Sequence, residues 1–316
     1  MDSARFAADW SAIWPNERSV GLAVSGGPDS LALLLLAQAA LPGRFAVATV
    51  DHGLRAQSAI DAAIVGTICS RIGIPHSLIE LGLSAGSAVQ ERARDARYAA
   101  LGDWLSAKRL GALVTAHHAD DQAETLLMRL MRGAGVRGLA SMRPVSTVPN
   151  RPDFPLLRPL LKWRRFELGE IVTAAGIAPA LDPSNGDPRF ERARMRAAMA
   201  ELDWLDVSAI VRSTSHLADA DVALDWAANR AFAEVFSDRD ALLWEPGTIP
   251  RALGMRVMQR ILVSYGQAEP RGADLARWFD VLSLGKIATL AGVRGDGTDR
   301  VWIFSKARPP NLRPRR

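Results

Sequence analysis

The sequence predicts an α/β fold in which a doubly wound, mostly parallel sheet precedes a smaller, mainly helical C-terminal domain. Through the first half of the chain, short apolar segments alternate with helical stretches, a pattern typical of a parallel sheet covered on both faces. Three of the apolar segments end in polar clusters, and ligands of such sheets bind beyond the C-terminal ends of the strands. Beyond Trp204 the pattern becomes mainly helical. We therefore expect a larger domain over 1–204 and a smaller one over 205–316.

The individual elements follow from hydrophobic periodicity and from turn residues. Strands are predicted at 21–24, 45–50, 76–80 and 112–115. Helices are predicted at 30–40, 58–72, 88–110, 120–131, 162–176 and 191–202. Five prolines between 133 and 159 exclude a long helix and favour a surface loop. After a mostly helical region that runs to about 267, strand-like alternation returns at 286–304.

Composition excludes several classes of protein. With 48% hydrophobic and 23% charged residues among 316, the chain falls in the range of folded globular proteins and has room for two domains. Cys69 is the only cysteine, which excludes an intramolecular disulfide and any cysteine-pair metal or redox site. No apolar run approaches the roughly 18 residues that span a bilayer, and the N-terminus lacks the apolar core of a signal peptide. We therefore expect a cytoplasmic protein that does not bind a membrane.

Positive charge is concentrated in one part of the chain. The formal net charge is +5, whereas the segment 129–200 alone contains 13 Lys or Arg against 6 Asp or Glu. Such a segment suits the phosphodiester backbone of a nucleic acid, through Coulomb attraction and counterion release. A solvated, arginine-rich face is the alternative explanation, because exposed basic side chains on helices are common.

The most specific local feature is the turn SGGPDS at 25–30, which lies between a predicted buried strand and a predicted buried helix. Adjacent glycines let backbone N–H groups approach a ligand closely, and a helix N-terminus favours anions, so the turn suits a phosphate group. The lysine of a Walker A loop is absent. An ordinary glycine turn is the alternative, which the flanking elements, Asp29 and Ser30 disfavour.

Two further polar clusters follow predicted strands. Asp51 and His52 come directly after the second strand, where they could contact a ribose, an adenine, a phosphate or Mg²⁺, or simply form a capped turn. Asp121 and Glu124 lie three residues apart on a predicted helix, so they share a face that could hold an ammonium group, bind Mg²⁺ or accept a proton. His117 is the first of two adjacent histidines before them, but the Cys partner or H-E-x-x-H pattern of a zinc site is absent.

A basic stripe lies on the predicted helix 88–110. Arg94, Arg97 and Leu101 fall near one line along that helix. One guanidinium could therefore point over the sheet edge toward a carboxylate or a phosphate. A solvated helix face is the alternative.

Several segments match known proteins in order and spacing. The strand, turn and helix around 25–30 resemble the PP-loop of ATP pyrophosphatases, which split ATP between the α and β phosphates. In combination, the segments between 20 and 196 resemble the tRNA(Ile)-lysidine synthetase family. These segments are SGGPDS, VDHGLR, ARDARYAAL, TAHHADDQAETLLMRLMRGAGVRGLASM, RPLL and DPSNGDPRFERARMR. Ala193 replaces the Asn of the family pattern R-N-x-x-R, so one polar contact of that pattern is not carried over.

The resemblance implies an ATP-dependent ligase that joins free L-lysine to C2 of the wobble cytidine in the CAU anticodon of tRNA(Ile). ATP and Mg²⁺ are the implied cofactors; the cytidine is adenylated first, and AMP and pyrophosphate are released. The domain over 1–204 is then the catalytic PP-loop domain, and the mainly helical domain over 205–316 recognises the tRNA. The resemblance leaves a homodimer open.

Residue roles follow from the same resemblance, position by position. The implied nucleotide-binding residues are Ser25, Gly26, Gly27, Pro28, Asp29, Ser30, Asp51, His52 and His117, of which Asp29 also binds Mg²⁺. The implied catalytic residues are Asp29, Asp121, Glu124 and Arg97, with the two acids of the helix holding the lysine amine and Arg97 its carboxyl end. The basic segments 129–143 and 189–196 would cradle the anticodon stem and loop, and Phe190 or Trp163 could stack on an unpaired base.

Two other functions stay open. Another PP-loop enzyme, either a tRNA-thiolating enzyme or a small-molecule amidotransferase, would keep the glycine turn. A single cysteine disfavours the first of these, and the basic segment disfavours the second. A non-enzymatic nucleotide sensor would also keep the turn but would have little use for the acidic cluster after His117.

Overall fold

The computed structural model describes residues 2–51, 53, 56–82, 89–180, 186–268, 270 and 272–307. The chain divides into two compact units, Met1–Ala218 and Asp219–Arg316. The division falls inside a helix, Val207–Phe232, and therefore lies C-terminal to the boundary expected at 204/205. The assignment of catalysis to the first part and tRNA recognition to the second stays a prediction.

The first unit alternates strands and helices. In chain order its elements are α1 (Asp2–Ile13), β1 (Val20–Ala23), α2 (Pro28–Ala40), β2 (Phe45–Asp51), α3 (Ala56–Arg71), β3 (His76–Glu80), α4 (Val89–Lys108), β4 (Leu113–Val114), α5 (Ala119–Met131), α6 (Val136–Leu139), β5 (Val145–Val148), β6 (Arg151–Leu157), α7 (Arg165–Ala174), α8 (Glu191–Ala200) and the start of α9 (Val207–Phe232). The predicted strands and helices of the first half all occur, with ends that differ by a few residues.

The strands of this unit form one six-stranded sheet in the order β3-β2-β1-β4-β6-β5. All neighbouring pairs are parallel except β5–β6. The C-terminal ends of β1, β4 and β6 therefore meet at one edge, which places the turn 25–30 next to the segment that begins at Thr115. This confirms the predicted α/β fold with a mostly parallel sheet.

Helices pack on both faces of the sheet. On one face, α2 buries a run of leucines against β1, among them Leu31, Leu33 and Leu34, each 0% exposed. On the other face, α4 lies so close to β1 that a Cβ on Gly21 would be 2.2 Å from the Trp104 ring. Glycine in a strand weakens it, so this residue is explained by the close approach of the helix.

The segment expected to be a surface loop contains a hairpin instead. β5 and β6 pair antiparallel, and the turn between them places Asn150 at φ = +61°. Prolines exclude a helix but tolerate a strand where no ladder N–H is needed. Pro152 and Pro155 lie in the part of β6 before Leu156, where the pairing with β4 begins, so their missing N–H groups cost the parallel ladder nothing.

The second unit is not mainly helical, which corrects the prediction. Besides the rest of α9, its elements are β7 (Phe236–Asp238), β8 (Ala241–Trp244), α10 (Arg251–Ser264), α11 (Gly272–Ser283), β9 (Ile287–Leu290), β10 (Val293–Asp296) and β11 (Trp302–Lys306). The strands form a five-stranded antiparallel sheet in the order β7-β8-β11-β10-β9. The β7–β8 turn has Arg239 at φ = +54° in place of the usual glycine or asparagine, so no residue pattern indicated a hairpin there.

The second unit has its own core. α10, α11 and the sheet bury a cluster of aliphatic and aromatic side chains, including edge-to-face pairs of Trp302 with Trp244 and with Phe279. Arg256 is held by two carboxylates, Asp221 at 2.6 Å and Asp225 at 2.7 Å. Within the part of the chain that the structure covers, no helix combines the length and apolar character needed to cross a membrane.

Candidate active site

The glycine turn after β1 is fixed by its own hydrogen bonds. Gly26 has φ = +87°, a conformation that L side chains rarely adopt, and a Cβ there would lie 3.2 Å from the Asp61 carbonyl oxygen. The Ser30 hydroxyl accepts a hydrogen bond from the Ser25 amide at 3.1 Å and donates one to the Gly27 carbonyl at 3.0 Å. The two serine hydroxyls are 3.3 Å apart. The turn is therefore formed before any ligand binds.

Helix α2 presents its N-terminus to this turn. Pro28 occupies the first helical position, where its fixed φ suits the helix and its missing N–H would have had no partner. Among the described residues, no side chain caps the helix at Gly27. The free amides and the positive end of the helix dipole therefore face the turn, as an anion requires.

Asp29 lies in the first turn of α2 with its two carboxylate oxygens in different situations. Oδ2 lies 3.4 Å from Nε2 of His118. Oδ1 is buried and accepts no hydrogen bond from the residues that the structure describes. A buried acceptor without a partner costs about 1–3 kcal/mol, so this oxygen is suited to a cation beside a bound anion.

A magnesium ion fits this position. Mg²⁺ is commonly bound by one or two carboxylates together with the phosphates of a substrate. Asp29 supplies one such oxygen next to the phosphate-binding turn. Across the described ranges, no group of three His, Cys, Asp or Glu side chains could hold a metal ion on its own.

His118 links Asp29 to helix α5. It is 1% exposed and forms a capping box with Asp121: its ring accepts from the Asp121 amide at 3.4 Å, and its own amide donates to Asp121 Oδ2 at 3.2 Å. Burial lowers the pKa of His118, but the hydrogen bond to Asp29 and the charges of Asp121, Asp29 and Asp120 outweigh it, so the pKa is raised. From the sequence pattern this histidine was considered only as a zinc ligand, and its contact with Asp29 was not predicted.

His117 is held neutral. Its Nδ1 lies 2.8 Å from the Thr115 hydroxyl. Its pKa is lowered to about 3, mainly by burial. The charged groups that also act on it are Asp121, which raises the pKa, and Arg158, Arg192 and Arg97, which lower it. At neutral pH this imidazole can form hydrogen bonds but supplies no charge.

The first acid of α5 has a purely structural environment. Asp120 accepts hydrogen bonds from the Arg164 guanidinium at 3.0 Å and from the Arg165 amide at 2.8 Å. Burial raises the pKa of Asp120, but the hydrogen bond from Arg164 contributes to a net lowering. Asp120 therefore anchors the start of α7.

Glu124 is 1% exposed and is bound by two arginines of α8. Arg192 Nε lies 2.7 Å from Oε2, and Arg196 Nε lies 2.8 Å from Oε1. Arg192 Nη2 is also 3.5 Å from Asp121 Oδ1. Because these arginines are four residues apart, both lie on the face of α8 that meets α5. The sequence placed them only in the RNA-binding surface.

Arg97 lies near His117, since its charge lowers the pKa of that imidazole. Its guanidinium is 5.1 Å from the centre of the Tyr98 ring. The predicted position of Arg97 at the sheet edge is therefore consistent with the structure. Tyr98 and Arg158, which share this region, were not predicted as site residues although both lie in the quoted motifs.

The structure describes three of the four remaining predicted residues, and it excludes one of them from the proposed role. Asp51 ends β2, is buried, and its Oδ1 accepts a hydrogen bond from the Gly53 amide at 2.8 Å. His52 lies outside the described residues. Trp163 is 0% exposed and its Nε1 donates to Asp9 Oδ2 at 3.0 Å, so it belongs to the core and is not available to stack on a base. Phe190 is partly exposed.

Comparisons with known proteins agree with this architecture. Residues 3–202 match the model of a family described as a PP-loop domain. A solved U34-tRNA thiolase from Methanococcus maripaludis has the same fold, with a TM-score of 0.56 and 16% identity over 68% of this chain and 78% of that chain. The fold and the phosphate-binding turn thus define a PP-loop protein.

Curated relatives identify the family within that class. The tRNA(Ile)-lysidine synthase of Novosphingobium aromaticivorans is 54% identical over 306 residues, which are 96% of this chain and 94% of that protein. The tRNA(Ile)-lysidine synthase of Zymomonas mobilis is 39% identical over 302 residues, 93% of this chain and 90% of that protein. The chain belongs to the tRNA(Ile)-lysidine synthase family.

Proposed function

We propose that the chain is a cytoplasmic ligase that uses ATP to attach lysine to C2 of the wobble cytidine in the CAU anticodon of tRNA(Ile). Membership of the family supports the reaction. The observation that carries the proposal is the turn at 25–30, beside which, among the residues that the structure describes, the helix N-terminus has no side-chain cap and one Asp29 oxygen has no partner. A polyphosphate and its cation need this combination of groups.

The chemistry explains why ATP is consumed. C2 of cytosine is a poor electrophile, because its carbonyl oxygen is not a leaving group. Attack of that oxygen on the α-phosphate of ATP forms an adenylated cytidine and releases pyrophosphate. The lysine ε-amine then attacks C2, and the C2–O bond breaks as AMP leaves.

The turn would hold the departing pyrophosphate. The amides of Gly26 and Gly27 and the Ser25 hydroxyl are placed to donate hydrogen bonds to phosphate oxygens. The Ser30 hydroxyl has one proton, which the Gly27 carbonyl accepts, so Ser30 would donate to a phosphate only after that bond breaks. Pro28 starts the helix whose N-terminus faces these groups. Asp29 would hold Mg²⁺, which when bound neutralises charge that develops on the leaving phosphates. Asp51, His52 and the neutral His117 would contact the nucleotide.

Asp121 and Glu124 would hold the lysine amine, and Arg97 its carboxyl end. The side chain of Asp121 is 15% exposed and that of Glu124 is 2% exposed, so Asp121 is the more accessible. Glu124 already accepts hydrogen bonds from Arg192 and Arg196, so it would bind the amine through a remaining lone pair of its oxygens. Because only the neutral amine attacks, one of these carboxylates must also accept its proton.

The basic surface around α8 would bind the anticodon stem and loop. Arg194 is exposed, and within the described part of the chain its guanidinium bonds to the backbone carbonyls of Pro188 and Arg189 and to no carboxylate. Its charge is therefore available to a phosphate, unlike that of Arg192. Phe190, at the start of the same helix, is the remaining candidate for stacking on a base. The second unit would recognise other parts of the tRNA.

The direct test is transfer of labelled lysine to a tRNA transcript. Purified protein is incubated with ATP, Mg²⁺, labelled L-lysine and an isoleucine tRNA transcript with a CAU anticodon, and each component is omitted in turn. We expect label in RNA only when all are present, and none with a transcript in which the wobble cytidine is replaced by uridine. Label that enters RNA without ATP, or ATP binding without any transfer, would contradict the proposal.

A further inference from the structure

Two buried polar groups near His117 have unsatisfied hydrogen-bonding atoms. Tyr98 is 0% exposed, and its hydroxyl forms no hydrogen bond with any residue described by the structure. Arg158 is 9% exposed, and its Nε likewise has no partner within the described ranges. Buried polar groups are nearly always paired, so two such atoms in one region point to a missing partner.

These groups lie at the edge of the sheet that carries the glycine turn. Arg158 directly follows β6, and Thr115 directly follows β4. The two strands are parallel, and the Thr115 amide donates to the Leu157 carbonyl at 3.0 Å. The Thr115 hydroxyl in turn contacts His117. Arg158 is therefore beside the segment that positions His117.

Three arginines bring positive charge to this region. Arg94 and Arg97 lie 5.3 Å and 5.1 Å from the centre of the Tyr98 ring. Burial lowers the pKa of Arg158; Tyr98 opposes this and Arg94 adds to it. Among the described residues, none of these three arginines forms an ion pair with a carboxylate.

Arg158 differs from a second buried arginine, Arg256, in the groups that bind its guanidinium. Arg256 is also 9% exposed, but two carboxylates hold it at 2.6 Å and 2.7 Å. Arg158 Nη1 instead donates to neutral acceptors, the Arg143 carbonyl at 2.8 Å and the Ser146 hydroxyl at 2.9 Å. These bonds fix the orientation of the guanidinium and leave its charge uncompensated. A buried charge of this kind needs an anionic partner.

We propose that Arg158 and Tyr98 form a subsite for an oxyanion of a substrate, next to Arg97. The oxyanion accepts hydrogen bonds from Arg158 Nε and from the Tyr98 hydroxyl. Two sources supply this chemistry, the carboxylate of the amino acid and the α-phosphate of the nucleotide. The inference rests on the proposed function, to which it adds two substrate-binding groups.

The test separates ligand binding from stability. Tyr98→Phe removes only the hydroxyl and keeps the ring between Arg94 and Arg97. Because that hydroxyl has no partner among the residues that the structure describes, Tm should be unchanged or higher, whereas the affinity for the substrate should fall about tenfold, the value of one hydrogen bond to a charged group. Arg158→Lys keeps the charge but removes the Nε donor, and should weaken the same substrate.

The only other tyrosine in the chain provides a matched control. The Tyr265 hydroxyl accepts a hydrogen bond from the Leu242 amide at 3.2 Å and donates one to the Phe304 carbonyl at 2.6 Å. Tyr265→Phe should therefore lower Tm and leave the affinity for both substrates unchanged. The two conservative substitutions are expected to have opposite effects.

Kinetics with L-lysine, ATP and 1,5-diaminopentane, which has the amine but no carboxylate, distinguish the two sources. A carboxylate occupant predicts that Tyr98→Phe raises KM for L-lysine about tenfold while KM for ATP and the use of the diamine stay as in the wild type. A phosphate occupant predicts a higher KM for ATP and equal effects on L-lysine and the diamine. KM values for L-lysine and ATP that both stay within twofold would overturn the subsite, whatever the Tm.

If the wild-type protein transfers no lysine, that result contradicts the proposed function and not the subsite. The subsite is then tested by calorimetric titration of ATP and of L-lysine into wild-type and Tyr98→Phe protein. Weaker binding of one ligand by the variant supports the subsite, and equal binding of both overturns it.

Discussion

Among individual side chains, the structure separates groups that the protein itself satisfies from groups left available to a ligand. Asp120 has its oxygens committed to Arg164 and Arg165, so it serves the fold. Asp29 keeps one buried oxygen without a partner among the described residues. The two acids are of one type and both lie in the first turn of a helix, yet only Asp29 is suited to bind a substrate or its cation.

Replacement of Asp29 should therefore affect chemistry and not RNA binding. We expect Asp29→Asn to lower kcat by about 10²-fold or more, because the carboxylate that would hold a cation on the phosphates is lost. Affinity for tRNA, measured by filter binding, should stay within a few-fold. Asp103→Asn is a matched control, since Asp103 is exposed and paired with Arg151. A large loss of tRNA affinity in Asp29→Asn would contradict the assigned role.

The neutral state of His117 makes stability depend on pH in a defined direction. Its pKa is about 3 in the folded protein against 6.5 as the ordinary value, mainly because it is buried. Between these values the unfolded chain binds more protons, so the contribution of His117 to stability is present above pH 6.5 and is lost as the pH falls.

His117→Gln removes that dependence. The difference in Tm between wild type and variant, followed from pH 7 to about pH 4.5, should shrink as the pH falls because only the wild type must keep a neutral imidazole. Parallel Tm curves over this range would show that the imidazole is not held neutral by burial.

Among the helices and strands, α8 carries arginines on two different faces. Arg192 and Arg196 face α5 and bind Glu124, whereas Arg194 projects to the exposed side. One basic helix can therefore form ion pairs with a carboxylate of the site through one face and offer positive charge to RNA through another. The exposed charge should be separable from the buried ion pairs by substitution.

We predict that Arg194→Gln weakens tRNA binding and reduces the slope of log affinity against log salt by about one unit, because one phosphate contact is lost. Lys108→Gln makes the same charge change at the end of α4, at the opposite edge of the sheet, and should leave the slope unchanged. Equal slopes for Arg194→Gln and the wild type would remove this face of α8 from the RNA interface.

The elements that the sequence predicted best are those with strong local signals. The run of leucines after Pro28 and the strand before Ser25 are continuous apolar segments bounded by turn residues, so β1 and α2 were predicted nearly correctly. The β5–β6 hairpin was missed because its prolines indicate only where a helix is excluded. Contacts such as Glu124 with Arg196 join distant parts of the chain and leave no local pattern.

As a whole molecule, the chain combines a unit whose fold was predicted from the sequence with one whose fold was predicted only in part. The parallel sheet was predicted from alternating apolar and helical segments, and the site was predicted at the C-terminal ends of its strands. In the second unit, α10 and α11 dominate the hydrophobic pattern, while the strands are three to five residues long and include turn positions such as Arg239 and Ala291 with positive φ. The strand-like alternation at 286–304 did predict β9–β11. The short strands β7 and β8, with the atypical turn at Arg239, carried too little signal to outweigh the neighbouring helices.

The position of bond cleavage in ATP tests the role of the turn at 25–30. If this turn holds the β and γ phosphates while the cytidine oxygen attacks the α-phosphate, ATP labelled at the α position should yield labelled AMP, with one pyrophosphate per lysine transferred. We expect AMP and pyrophosphate in equal amounts, formed only in the presence of the CAU tRNA. Formation of ADP and inorganic phosphate instead would contradict the account.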